Sequence, residues 1–168
     1  NDSLAARVFK TISEEHIGEM SFFRVYSGKV NAGDDLRNTT RNNSEKMRQV
    51  YFMNGKNRKD APQLIAGDIG AALKLKNTHT GDTLADPKGL ILLPKINYPT
   101  PNMSIAIKPK ARGDEEKIAN GLAVMHEEDP TFLYRVDSEL KQTIISGQGE
   151  LHLNIALNRI TERFHVEL

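Results

Sequence analysis

The chain has 168 residues, 38% of them hydrophobic and 27% charged, with no cysteine and a formal net charge of +1. A chain of this size buries a core unaided, and the missing cysteine excludes a disulfide framework, a thiolate zinc site and a cysteine nucleophile. No apolar stretch is longer than that at 90–93, far short of the roughly eighteen residues a membrane helix needs, and no signal peptide is visible. The expected compartment is the cytoplasm. The charge is uneven. Residues 1–98 carry 15 Lys and Arg against 11 acids and residues 99–168 carry 8 against 11, giving halves of +4 and −3. An excess of that size permits one basic patch but falls short of the dense basic face of a dedicated nucleic-acid binder. The chain begins at Asn1 and stops inside a strand-like run at 165–168, which reads as a piece of a longer protein.

Short strands are expected first, over 4–12, 20–30, 36–40, 46–53, 69–75 and 90–95. They are separated by breakers at Gly18, Asn31 to Gly33, Asn42 to Ser44, Asn54-Gly55, Gly67-Asp68 and Gly81-Asp82. Six closely spaced strands suggest a mainly antiparallel β barrel, because closure removes the exposed edges of a short sheet. The segment 94–101 holds three prolines, which forbid both a helix interior and a central strand. It is the natural linker, and the expected domains are 1–98 and 99–168.

Beyond the linker the apolar period lengthens from two to 3.6. A strand at 103–108 precedes a helix over 114–126 with Ile118, Leu122 and Met125 on one stripe. Strands follow at 132–136 and 142–145. A second helix over 150–164 buries Leu153, Leu157, Ile160 and Phe164, and a last strand begins at His165. The order βαββαβ is that of an α+β ferredoxin-like domain, its final strand cut short.

These residues carry a resemblance. Arg24-Val25-Tyr26-Ser27-Gly28, Ala66-Gly67-Asp68-Ile69 and Thr80-Gly81-Asp82-Thr83-Leu84 resemble the barrel domain of translation elongation factor G. Glu127-Glu128-Asp129-Pro130-Thr131-Phe132 and Gly149-Glu150-Leu151-His152-Leu153 resemble the third domain of that family. The stretch 53–62 and Gln148 depart from the usual pattern, as in a divergent paralogue. The resemblance implies a non-catalytic part of a ribosomal translocase. In that family GTP and magnesium belong to a separate first domain, the barrel leans on the RNA of the small ribosomal subunit, and the third domain lies between the GTPase and that subunit. The implied partners are therefore the small-subunit RNA and proteins and the GTPase domain in cis, with no membrane and a monomeric chain.

Residue by residue the chemistry is sparse. No G-x-x-x-x-G-K-[ST] loop occurs, and Gly147-Gln148-Gly149 lacks the third glycine of a dinucleotide fingerprint and reads as a strand-to-helix turn. The histidines His16, His79, His126, His152 and His165 have no metal-binding spacing. His126 reads as a helix-end residue facing the C-terminal dipole, and Glu127, Glu128 and Asp129 read as a solvated helix end rather than catalytic carboxylates. No catalytic, cofactor or metal residue is expected in this chain. Lys56, Arg58 and Lys59 crowd a hairpin loop, either an ordinary wet turn or a contact for RNA phosphates, without aromatic interleaving for base stacking.

At 100° per residue Arg159 and Arg163 fall within about 20° of His152, on a stripe with Ala156 between them. Such a stripe is either a wet face opposite the core or a docking face. In the family that this chain resembles, the equivalent helix faces the GTPase domain and the fusidic-acid pocket, which makes His152, Arg159, Arg163 and Phe132 docking or pocket candidates. The rival readings are a ribosomal protection or release-type GTPase, a stand-alone RNA-binding barrel, and a ferredoxin-like acylphosphatase. The acids Asp114, Glu115 and Glu116 after Arg112-Gly113 oppose the anion cradle that the last would need.

Overall fold

The computed structural model describes residues 2–14, 17–137, 139–140 and 142–168; His16 lies outside the described residues. The chain divides into two compact units, Asn1–Ile96 and Asn97–Leu168, and the division falls within the proline-bearing segment.

The first unit contains β1 (Ala5–Glu14), β2 (Gly18–Ser27), β3 (Lys29–Asn31), β4 (Asp35–Asn38), β5 (Asn43–Lys46), β6 (Val50–Asn54), β7 (Asn57–Asp60), β8 (Gln63–Ile65), β9 (Ile69–Leu73) and β10 (Thr83–Ala85). Eight of them form one antiparallel sheet in the order β5-β4-β10-β1-β2-β9-β6-β7, and β3 pairs with β8. The period-two alternation turns Ala6, Val8, Phe23 and Val25 inward to a core with Leu36, Met47, Val50, Leu64 and Leu84. The loop after β3 draws the two sheet ends together. Ala32 N–H bonds Pro62 O beyond β7 at 3.1 Å, and Gly33 N–H bonds Met47 O beyond β5 at 2.6 Å. Gly28 must be glycine: its φ is +68°, and a Cβ there would lie 2.8 Å from the Leu4 backbone.

Three strand expectations are corrected. The single strand over 20–30 is two, broken at the left-handed Gly28 into β2 and β3, which belong to different sheets. The single strand over 46–53 is two, because the buried Met47 turns away to bond the 33–34 loop, its N–H reaching Asp34 O at 2.8 Å. The strand over 90–95 does not form. That segment is a strap tethered by Thr39 Oγ1 donating to Ile91 O (2.7 Å) and Leu93 N–H donating to Thr83 Oγ1 (3.2 Å), with Leu90 and Leu92 exposed. Side-chain tethers replace the backbone ladder there.

The second unit runs β11 (Met103–Ile107), α1 (Glu115–Glu128), β12 (Leu133–Asp137), β13 (Gln142–Gly147) and α2 (Glu150–Phe164), with an antiparallel sheet ordered β11-β13-β12. This is the ferredoxin-like arrangement. Ile118, Leu122 and Met125 of α1 and Leu153, Ala156 and Ile160 of α2 share one core with Ile107, Phe132 and Ile145 of the strand side. The helices meet closely at Gly121, where a Cβ would stand 2.9 Å from Ile160 Cγ2. The expected last strand is only an extended tail. His165 closes α2 at a left-handed φ of 52°, Val166 is buried, and Lys110 N–H bonds Glu167 O at 3.2 Å.

Candidate functional site

In the first unit, the expected basic hairpin is β6–β7. Its register places Asn54 opposite Asn57 and leaves Gly55-Lys56 as a two-residue loop, with a positive φ (59°) at Gly55 alone, the pattern of a type II′ hairpin. Lys56, Arg58 and Lys59 are all exposed. Two of these cations nevertheless lie beside aromatic rings. Arg58 lies 5.6 Å over the ring of Tyr51, and Lys59 stands directly opposite the half-exposed Phe52. The pleat explains both contacts, since Tyr51, Met53 and Arg58 share one face while Phe52 and Lys59 share the other.

A second basic feature escaped the sequence reading. Lys46, Arg48, Gln49, Leu73, Lys74 and Lys76 line a cleft of about 450 Å³ together with Glu45. The pairing of Val50 with Ala72 brings the segment before β6 against the segment after β9, so cations far apart in sequence converge. Glu45 is 2% exposed, and its carboxylate accepts from Lys76 N–H (3.0 Å), Asn77 N–H (2.7 Å), Thr78 Oγ1 (2.9 Å) and Asn43 Nδ2 (3.1 Å). The bonds to 76–78 fix the far wall of the cleft. Lys74 sits at φ 55°, a left-handed conformation that an L side chain adopts at a cost. Lys46 pairs on the surface with Asp35 at 3.1 Å. With Glu45 in the wall and Asp35 on Lys46, two carboxylates stand against four cations, which leaves the cleft with a net positive charge.

In the second unit the helix stripe is divided among different roles. Gln148 N–H donates to His152 Nδ1 at 3.0 Å, so the ring proton sits on Nε2, which faces Asp129 Oδ2 at 3.0 Å. His152 is the third residue of α2 after its cap Gly149. It thus reaches back to the entering backbone as the glutamate of a capping box does. Gly147 makes room for it, since a Cβ there would be 2.8 Å from Nδ1. Arg163 Nη1 donates to Glu128 Oε1 at 2.9 Å, and Ala156, midway along the stripe, belongs to the core. The stripe is therefore not opposite the core: its flank lies against the acidic end of α1. Arg159 is exposed and makes no ion pair or hydrogen bond among the described residues.

The solvated reading of 127–129 is corrected by the same contacts. Asp129 Oδ1 accepts from Thr131 N–H (2.9 Å) and Thr131 Oγ1 (2.6 Å). Partial burial pushes the Asp129 carboxyl up, but the Thr131 bonds and the neighbouring His152 outweigh it and hold the group below its ordinary 3.8. Phe132 is 1% exposed, edge-on to His152 at 6.3 Å, with its carbonyl accepting from His126 Nδ1 at 2.7 Å. As a docking candidate it is corrected, because a side chain sealed in its own core presents nothing to a neighbour. Among the described residues no three His, Asp or Glu side chains converge to hold a metal, and no helix is long and apolar enough to cross a membrane.

Two family models match the chain, elongation factor G domain 2 over residues 3–86 and elongation factor G domain III over residues 98–168. A crystal structure of a protein from Thermus thermophilus superposes with a TM-score of 0.85 at 27% identity, covering 98% of this chain. This chain spans 25% of the length of that one. With a barrel and a ferredoxin-like unit in the matching order, the chain belongs to the elongation factor G family and carries its second and third domains.

Proposed function

We propose that this chain is the non-catalytic, ribosome-contacting part of an elongation factor G-like translational GTPase that acts in the cytoplasm as a monomer. Its work is to couple the nucleotide state of a GTPase domain elsewhere in the parent protein, where GTP and magnesium bind, to movement of tRNA and mRNA. The observation that supports this best is the cleft of Lys46, Arg48, Lys74 and Lys76 on the barrel. Four cations around a concavity suit the closely spaced phosphates of folded RNA in the small ribosomal subunit. The hairpin cations Lys56, Arg58 and Lys59 add a second contact, and recognition is through backbone and shape. Arg159, the member of the helix stripe that pairs with no described residue, is the docking residue toward the GTPase domain.

Small-subunit binding by the full-length parent, measured across a salt series, tests this reading. Arg48→Glu with Lys76→Glu should weaken binding and lower the slope of log K against log salt by about 1.5, at roughly 0.7–0.9 for each phosphate that the protein no longer neutralises. An unchanged slope would remove the cleft from the interface.

A further inference from the structure

The outward face of the β1–β2 ladder carries an arrangement that RNA contact does not explain. Arg7 of β1 stands directly opposite Arg24 of β2, between the inward pairs Val8–Phe23 and Ala6–Val25 that form the core. Period-two alternation therefore points both guanidinium groups away from the core, side by side. Like charges directly opposite one another destabilise a ladder. The row continues to Thr83 on β10 and to Ile69 on β9. On the Thr83 side it is closed by the strap, whose Leu93 N–H bonds Thr83 Oγ1. On the other side it is open: Ile69 is 52% and Tyr26 54% exposed, and Arg24 lies 5.4 Å over the Tyr26 ring.

Arg7 itself is only 8% exposed, yet its side chain makes no ion pair or hydrogen bond among the described residues, and its Nε is sealed without an acceptor. A guanidinium so largely buried, with Nε sealed and no carboxylate beside it, is costly, and its neighbour across the ladder adds to the cost. The demand is met if an anion arrives from outside and shares the terminal nitrogens of both arginines, which form forks suited to a carboxylate.

We propose that the Arg7–Arg24 pair is a docking site for a protein surface that presents one aspartate or glutamate carboxylate flanked by apolar side chains. The surroundings favour a protein over RNA. Arg7 is nearly withdrawn from water, whereas phosphate-tracking cations stand in it, and arginine beside exposed tyrosine and isoleucine is the composition of a protein interface centre. The carboxylate bridges the two guanidinium groups while Tyr26 and Ile69 exclude water around it.

The test uses the whole chain with isotope-labelled arginine side chains, titrated with the blocked dipeptide acetyl-Phe-Glu-amide and its glutamine analogue, and separately with inorganic phosphate and an oligouridylate. The expected result is saturable movement of the Arg7 and Arg24 side-chain signals with the glutamate peptide, at least fivefold tighter than with the glutamine peptide or phosphate, and lost in Arg24→Gln. An equal or stronger response to phosphate or oligouridylate, or no saturable response to the glutamate peptide, overturns the proposal. Arg7→Met supplies an independent arm. It should leave the melting temperature of the chain unchanged or raised while abolishing peptide binding, because it removes a cation that no described residue pairs; a clear fall in melting temperature would make Arg7 a structural residue and refute the docking role.

Discussion

Lys74 allows the cost of the basic cleft to be measured. Its left-handed φ of 55° costs an L residue about 1–2 kcal/mol, while glycine adopts it freely. Glycine also gains freedom in the unfolded chain, which takes back about 0.5–1 kcal/mol. Lys74→Ala and Lys74→Gly both delete the side chain, so comparing them with each other cancels that deletion and leaves the backbone term. The glycine variant should be the more stable of the two by about 0.5–1 kcal/mol, or roughly 2–8 °C for a domain of this size. Because the chain has two units, amide exchange in the β2–β9 ladder, which leads directly into Lys74, is the suitable assay. Both variants should bind small ribosomal subunits more weakly in the full-length parent. If Lys74→Gly proves no more stable than Lys74→Ala, the backbone there is relaxed and the strain argument fails. A cleft that keeps a strained lysine follows the general pattern of strain retained where ligands bind.

Other consequences follow from single contacts. Glu45→Gln replaces one of two buried oxygens with an amide donor, orphaning at least one of the four groups that bond it, and should cost about 1–3 kcal/mol by urea unfolding of the barrel. Asp129 has a native pKa below its unfolded 3.8, so its stabilisation is full above that value and is lost as the pH falls through the lowered one. Wild type and Asp129→Asn should therefore differ at pH 5 and converge toward pH 2, and a constant difference would refute the assignment. Arg159→Glu should move the stability of this chain by less than about 0.5 kcal/mol yet impair ribosome-stimulated activity of the parent; an unimpaired parent would end its docking role.

The two helices were legible because their apolar stripes are long. Ile118, Leu122 and Met125 fix one face and the run to Phe164 the other, and both helices lie within two residues of their expected bounds. The missed strands are short or carry no apolar alternation. Residues 57–60, Asn-Arg-Lys-Asp, are wholly exposed and become β7 only because the Gly55 turn folds them back onto β6. The cleft was invisible for a different reason: the pairing of β6 with β9 assembles it, and neither contributing segment is unusual alone. His152 showed the limit of angular reasoning, since a helical wheel places it with Arg159 and Arg163 but cannot see that the backbone at Gln148 claims one of its nitrogens. Nothing local marks Arg7 either, whose isolation follows from the register of β1 with β2.

The position of β1 in the barrel sheet bears on synthesis as well as on stability. β1 is flanked by β2, its neighbour in sequence, and by β10, whose Ala85 pairs with Ala5. A nascent chain can form the β1–β2 hairpin early, but its other edge must wait until the β10 segment has left the ribosome, several seconds later at about 5–20 residues per second. During that interval an unpaired edge and half a core stand open, which makes the emerging barrel a substrate for chaperones and for mispairing with a neighbouring nascent chain. The second unit has a shorter wait of the same kind, because β11 stays unpaired until β13 emerges, with Met103 opposite Gly147.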